Sequence, residues 1–249
     1  MPDTENPPSP SNQITVNNVA IKAWSAKTEK VRLEYYFERV GQISAGAFRR
    51  DFKNFFGSTR FDATPEFLAL YGLDPGIYDP YEVATQHNLL STVRMTGLEF
   101  DYKQALTFLP RWARGVQVFA NASAIRVQGD AASNFNNFVP RVYNWGVSLN
   151  RERYNLRANW NYRGKARGGV QTGRSVEPGT FVYTSKIMNL ELQGEYRVRK
   201  NLAAYFTIRN ALAEPEDVQT YGPSTPLHAR FLERNDIGAA WTFGMKGSF

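Results

Sequence analysis

The stretch Tyr154-Asn155-Leu156-Arg157-Ala158-Asn159-Trp160-Asn161-Tyr162-Arg163 decides the fold. Its even positions are apolar or aromatic, and its odd positions are Asn or Arg. Alternate side chains share a face only in an extended strand. A helix, advancing about 100° per residue, would scatter both sets around its circumference. The segment before it repeats the pattern: Tyr143, Trp145, Val147 and Leu149 alternate with Asn144, Gly146, Ser148 and Asn150. A polar link at Arg151-Glu152-Arg153 joins the two as a hairpin.

Working outward, the alternation recurs. Met188, Leu190, Leu192, Tyr196 and Val198 oppose Asn189, Glu191, Gln193, Glu195, Arg197 and Arg199. A turn at Lys200-Asn201 leads to Leu202, Ala204, Phe206 and Ile208. Ile237, Ala239, Trp241, Phe243, Met245 and Phe249 share a face near the end, and Val31, Leu33, Tyr35 and Phe37 do so near the start. The reading is all-β, with about nine antiparallel up-and-down strands at 31–38, 41–53, 89–105, 115–127, 141–151, 154–166, 185–199, 202–211 and 236–249. The 41–53 and 89–105 strands alternate poorly, which predicts bulges or a register error there. Residues 1–13, polar and Pro-rich, are expected as a disordered lead, and 14–249 as one strand-built unit.

The connections alternate in length. Links at 39–40, 106–114, 152–153 and 200–201 are short, whereas those at 54–88, 128–140, 167–184 and 212–235 are long. Outer-membrane barrels pair short periplasmic turns with long extracellular loops. A soluble meander has no reason to lengthen every second connection. Several strands reach about ten residues, the length a tilted bilayer crossing requires. Their second faces carry Asn, Arg, Glu and Gln, as a wet lumen would. The fold expected is thus a set of transmembrane β-barrel strands, a partial barrel. The rivals are a soluble all-β carbohydrate-binding module and a small standalone outer-membrane barrel.

Composition is compatible with all three. The 249 residues are 42% hydrophobic, and none of their stretches approaches the roughly 20 apolar residues of a membrane helix. A barrel gives the same average because only alternate residues face lipid. Aromatics at 14% suit either interfacial girdles or a sandwich core. The absence of cysteine excludes disulfides, thiolate metal sites and Cys nucleophiles. A formal charge of +7 points to an anionic partner, nucleic acid or lipid phosphate. The N-terminus MPDTENPPSPSNQ lacks the basic and apolar regions of a signal peptide.

Several segments resemble TonB-dependent receptors. The stretch from Val16-Asn17-Asn18-Val19-Ala20-Ile21-Lys22-Ala23-Trp24-Ser25-Ala26-Lys27 to Leu33-Glu34-Tyr35-Tyr36-Phe37 is similar to the family's Asn-rich segment before a "G-x-E-Y-Y-F" strand. Thr96-Gly97-Leu98-Glu99 resembles its "GxE" strand, and Phe206-Thr207-Ile208-Arg209-Asn210-Ala211-Leu212 its penultimate "xxNLF" strand. Trp241-Thr242-Phe243-Gly244-Met245-Lys246-Gly247-Ser248-Phe249 is similar to the C-terminal assembly signal of outer-membrane proteins.

The resemblance implies a bacterial outer-membrane location and uptake of a small unidentified solute. It implies the TonB complex acting through an N-terminal plug, and the barrel-assembly machinery as a partner of Trp241, Phe243, Met245 and Phe249. It also implies contact with outer-membrane lipid and lipopolysaccharide. Neither a plug nor a TonB-contacting box is visible. Such transporters have about 22 strands, so the resemblance implies the last part of a barrel, from a truncated gene, a fragment or a split chain, unable to transport alone.

No catalytic residue, cofactor or metal is expected. His87 and His228 are the only histidines and have no second ligand at metal spacing. Glu99 and Asp101 share a face, read as solvated wall residues rather than a catalytic pair. Arg163-Gly164-Lys165-Ala166-Arg167-Gly168-Gly169, with Arg174, lacks the ending of a P-loop and is read as an extracellular loop meeting lipid phosphates, not as a nucleic-acid site. The 54–88 insert is aromatic: Phe55, Phe56, Phe61, Tyr71, Tyr78 and Tyr81 either catch a ligand or bury one another, with a helical turn at Pro65 to Tyr71. Asn155, Arg157, Asn159, Glu191, Gln193 and Arg209 are expected to face the lumen. Trp145, Leu149, Leu156, Trp160, Leu190, Phe206 and Phe243 are expected to face lipid.

Overall fold

The computed structural model describes residues 1–9, 12–38, 40–129, 138–171 and 176–247. Its strands in chain order begin with β1 (Ile14–Val16), β2 (Ser25–Phe37), β3 (Gly41–Lys53), β4 (Phe56–Asp62) and β5 (Glu82–Asn88). Then come β6 (Val93–Ala105), β7 (Val116–Gln128), β8 (Arg141–Asn150), β9 (Tyr154–Arg163), β10 (Ala166–Gln171) and β11 (Thr180–Thr184). The last are β12 (Ile187–Arg199), β13 (Leu202–Arg209), β14 (Glu216–Tyr221), β15 (Phe231–Asn235) and β16 (Ala240–Gly247). Two short helices, α1 (Pro65–Leu70) and α2 (Pro75–Tyr78), lie between β4 and β5.

Nine strands form one sheet in the order β16-β13-β12-β9-β8-β7-β6-β3-β2. Every adjacent pair in it is antiparallel and consecutive within the sheet. The expected strands are therefore present, with shifted ends. The first reaches back to Ser25, because Ser25-Ala26-Lys27-Thr28-Glu29-Lys30 is polar on both faces and hides its alternation, although its backbone pairs with β3 residue for residue. The bulges expected in 41–53 and 89–105 do not occur, since β3 and β6 pair without a register shift. Their alternation is weak because one face of β3 is small (Gly41, Ala45, Ala47) and charges cap its end. The shift that this sheet does carry lies between Arg197 and Arg199.

Pairing rows run obliquely across the sheet. One row joins Phe37, Gly41, Gln104, Val118, Val147, Ala158, Leu192, Ile208 and Trp241. It starts at the last residue of β2 and ends at the second residue of β16. Hydrogen bonds are perpendicular to the strands, so such drift means that the strands are tilted, the stagger a barrel wall requires.

The long connections hold structure of their own. Residues 54–92 contain β4, α1, α2 and β5, and β1 joins them in a three-stranded sheet ordered β1-β5-β4, parallel to β5. Ile14, Ala63, Leu68, Tyr81 and Val83 form its interior. Thr64 caps α1 by accepting the Phe67 N–H at 3.2 Å, ahead of Pro65, whose missing donor costs nothing there. The segment 1–13, expected as a disordered lead, carries a turn in its described residues. The Asn12 amide donates to the carbonyls of Asp3 and Asn6, and the Tyr81 hydroxyl donates to the same two carbonyls at 3.1 Å. The connections 164–186 and 210–239 build a four-stranded sheet, β10-β11-β14-β15. Short turns occupy the other end. At Gly115, φ is +89°, and a Cβ would collide with the Asn150 carbonyl, so the tight approach requires glycine.

Leu68 is fully buried in the small sheet's interior. Leu68→Ala is expected to destabilise that unit by about 2–5 kcal/mol. Amide exchange of β4 and β5 should accelerate while the β8–β9 ladder keeps its protection. Equal acceleration in both would show that the two regions unfold together.

Candidate functional site

Residues paired across antiparallel strands share a face, so the register sorts every side chain of the long sheet. One face carries Leu33, Ala45, Phe100, Ala122, Tyr143, Tyr162 and Met188 in a single row. The next row holds Tyr35, Ile43, Tyr102, Ala120, Trp145, Trp160 and Leu190. Leu149, Leu156, Gly194, Phe206 and Phe243 follow further along. All seven residues expected to face lipid thus lie on one side. Trp145 stacks on Trp160 at 6.2 Å with parallel rings, and Tyr143 on Tyr162 at 5.4 Å. The Phe206 ring lies across Gly194, where any Cβ would collide with it. Leu33, Leu98, Trp241 and Phe243 are 62–76% exposed on this face. Soluble monomers do not expose a contiguous apolar surface of that extent.

The opposite face is mostly polar, although Phe48, Phe119, Ile125 and Tyr205 also lie on it. Asn155 pairs with Glu195, Arg157 with Gln193 and Asn159 with Glu191. Gln193 continues to Thr207, two residues from Arg209. The six residues expected at the lumen therefore occupy one side together. Beside them runs a row of Ser44, Asp101, Asn121, Asn144, Asn161 and Asn189. Within it Asn144 donates to Asn121 at 2.8 Å. Glu99 and Asp101 both have cationic neighbours: Lys30 meets Glu99 at 2.6 Å, and Arg32 reaches Asp101 at 3.5 Å and Ser44 at 2.9 Å. The pair is a solvated ion network across β2, β3 and β6, without the geometry of an acid and a base converging on one point.

At the loop end, the aromatic insert divides. Tyr81 is interior, Tyr78 packs beside it at 6.1 Å, and Phe55 joins Phe52 and Val93 in a second small cluster with Phe56 stacked on it. Phe61 and Tyr71 flank Phe67, with ring centroids at 5.5 and 4.8 Å, and keep large exposed areas. His87 sits on β5 opposite Gly57, and His228 in a turn of the other loop unit.

The four-stranded sheet holds an arrangement that sequence reading missed. Tyr183 stacks on Tyr221 at 4.1 Å. The Lys165 ammonium lies 4.7 and 4.5 Å from their ring centroids and donates to the Tyr221 hydroxyl at 2.6 Å. Arg230 covers Tyr221 at 4.4 Å, and Arg167 covers Phe181 at 4.5 Å. Burial, and next the neighbouring Tyr221, push the Tyr183 hydroxyl above its ordinary pKa. Nearby, the Arg234 guanidinium donates twice to Asp217 and holds its carboxyl below the usual range. Lys165 and Arg167 were legible as a basic tract. Tyr221 and Arg230 come from a distant connection, and no local pattern announces them. Arg163 on β9 pairs with Glu216, tying this sheet to the polar face.

On β16, Trp241, Phe243 and Met245 pair with Ile208, Phe206 and Ala204 on the apolar face. Phe249, the fourth member of the expected assembly segment, lies outside the described residues, as does Arg174 of the basic tract.

Residues 4–211 match the family model described as TonB dependent receptor-like, beta-barrel. No curated protein sequence matches. Among solved structures, the chain is similar to a ferric enterobactin receptor of Pseudomonas aeruginosa, with TM-score 0.61 and 17% identity over 92% of this chain and 32% of that one. The FrpB iron transporter of Neisseria meningitidis gives TM-score 0.63 and 12% identity over 95% and 33% of the two chains. The ferric citrate transporter FecA gives 0.56 and 14% over 89% and 31%. The chain spans about a third of the length of these proteins.

The two faces predict opposite responses to one substitution made on neighbouring residues. Ala158→Arg puts a charge on the apolar face and is expected to cost about 2–4 kcal/mol in a bilayer. Asn159→Arg, on the polar face, is expected to cost about 1 kcal/mol or less. Urea unfolding in lipid vesicles measures both. Equal costs would overturn the assignment of faces.

Proposed function

This chain belongs to the TonB-dependent receptor-like β-barrel family, and we propose that it forms part of the wall and external loops of an outer-membrane receptor for active uptake of a scarce solute. The observation that carries this reading is the facing: an apolar side and a polar side, kept in register through all nine strands. The apolar side contacts lipid. Asn155, Arg157, Asn159, Glu191, Gln193 and Arg209 line the lumen, where they meet water, solute and a plug moved by the TonB complex. The role is binding and passage, with no covalent step assigned to any residue.

The connections at 54–92, 164–186 and 210–239 lie at one end and face outward from the cell. Phe61 and Tyr71 are the members of the aromatic insert with surface left for a ligand, since the other rings pack on one another. An anionic ferric chelate is the favoured solute class. Several of the similar solved structures are receptors or transporters for iron or ferric chelates, and another is a copper transporter; Lys165, Arg167 and Arg230 supply cations over aromatic rings at the same end. The basic tract also meets lipopolysaccharide phosphate. Trp241, Phe243, Met245 and Phe249 form the segment captured by the barrel-assembly machinery through strand addition at an open edge.

Without lipid or detergent, the apolar side and the two sheet edges promote association. The purified chain is expected to be oligomeric or aggregated in plain buffer and dispersed in a neutral detergent, as read by light scattering. A stable 28.3 kDa monomer in buffer would sink the outer-membrane reading.

A further inference from the structure

At the turn end of the polar face, a cup of cations stands where β12, β13 and β16 meet. Arg197 pairs with Ala203, and Ala203 with Lys246. The three therefore share a face. It is the lumen face, because Glu195, two residues before Arg197, pairs with Asn155. Ala203 is small and buried, so the middle of the row is a floor. Arg197 and Lys246 flank it, two strand spacings or roughly 10 Å apart. The register shift after Arg197 leads into the turn at Lys200-Asn201, and Arg199 and Lys200 join the lining. The cavity measures about 370 Å³, within the range of small-molecule sites, about 300–1,000 Å³.

Charge balance marks the cup as an anion site. Arg197, Arg199, Lys200 and Lys246 line it against one carboxylate, Glu195, which Lys246 already meets at 2.6 Å. Arg197, Arg199 and Lys200 are exposed and form no ion pair among the described residues. A concave site lined by one sign of charge focuses its field on an incoming counter-ion. The cations continue up the wall. Arg157 is exposed and pairs with Gln193, four residues and about 13 Å from Arg197 toward the loops. It lines a second cavity that shares Glu195 with the cup. An anion moving down this wall meets cations at successive heights.

We propose that Arg197, Arg199, Lys200 and Lys246 form an inner anion site on the lumen wall, at the end opposite the loops, for a solute bearing two or more separated carboxylates. This rests on the reading that the polar face lines the lumen, and adds to it a second station through which the solute leaves. Guanidinium grips a planar carboxylate through two parallel hydrogen bonds. Cations spread across three strands suit carboxylates on different carbons rather than one compact phosphate. Glu195 holds Lys246 beside the cup and also repels the incoming anion. Affinity therefore stays low enough for release, as a transit site requires.

The full chain, folded in a neutral detergent, can be titrated with citrate, acetate or inorganic phosphate at constant ionic strength, with amide hydrogen exchange read by mass spectrometry. Citrate should slow exchange at residues 195–203, with half-saturation at about a tenfold lower concentration than acetate or phosphate. R197Q/R199Q should raise the citrate midpoint about tenfold. A203F should raise it by filling the floor without changing charge, and the exposed R197Q/R199Q keeps the test standing if A203F fails to fold. E195Q should lower the midpoint. The charge-matched R126Q/R141Q, on the opposite face, should leave it unchanged. Protection equal for the three anions, unmoved by R197Q/R199Q, or weakened as much by R126Q/R141Q would overturn the site. Quenching of Trp145 and Trp160 by a brominated detergent tests the underlying reading separately. Quenched tryptophans without citrate protection at 195–203 would remove the site alone; unquenched tryptophans would remove both.

Discussion

The structure depends on the inter-strand backbone ladder. A strand in hydrocarbon has no water to satisfy its N–H and C=O groups, and each unpaired group there costs several kcal/mol. Pairing with neighbours on both sides is then obligatory along the whole crossing. The unbroken register of β3 with β6 and of β8 with β9 meets that demand. Once the ladder is continuous, the faces are no longer free. A slip of one residue between β9 and β12 would put Asn159 or Asn161 opposite Leu190 in place of Trp160 and exchange the two sides of a strand at once. Facing, tilt and the segregation of long connections to one end all follow from the same ladder.

This explains what was legible in the sequence. Period-two alternation is the direct imprint of a two-faced strand, so 154–163 and 141–150 could be read residue by residue. The stretch Ser25–Lys30 was invisible because it lies beyond the apolar band, where both faces meet polar surroundings and only the backbone still obeys the pattern. The same holds at this rim on β3 and β6, where Arg49, Asp51 and Arg94 replace apolar residues on the outer face. The weak alternation that suggested bulges there is instead a change of medium along a regular strand. The small loop sheets were illegible for another reason: their pairings join segments far apart in sequence, as Ile14 with Val83 or Phe181 with Tyr221.

The candidate site divides along the same line. The polar face could be read because each of its residues is the neighbour of an apolar one within a strand. The loop-end cation and aromatic cluster could not, because Lys165, Tyr183, Tyr221 and Arg230 meet only after two connections, 164–186 and 210–239, pair. The aromatic insert shows composition misleading by itself. Most of its rings are consumed by its own interior, as expected of a long loop that must stay compact above a sheet without the support of a larger core.

The open edges carry one more consequence of the ladder. β2 and β16 are separated by an even number of antiparallel steps, so they run in the same sense, from the loop end toward the turn end. Pairing them directly would be parallel. A second copy in the same membrane orientation would meet the same obstacle, because its free edges run the same way. An antiparallel wall closes only if an odd number of further strands lies between β16 and β2. Nine plus an odd number is even, which is the parity of bacterial outer-membrane barrels. The edges therefore select what completes them by direction as well as by alternation. The first strand to pair with β2 must rise from the turn end, and so must the one that covers β16. On β16 that strand must also place apolar residues beside Trp241, Phe243 and Met245, because the ladder fixes which side of any incoming strand faces lipid.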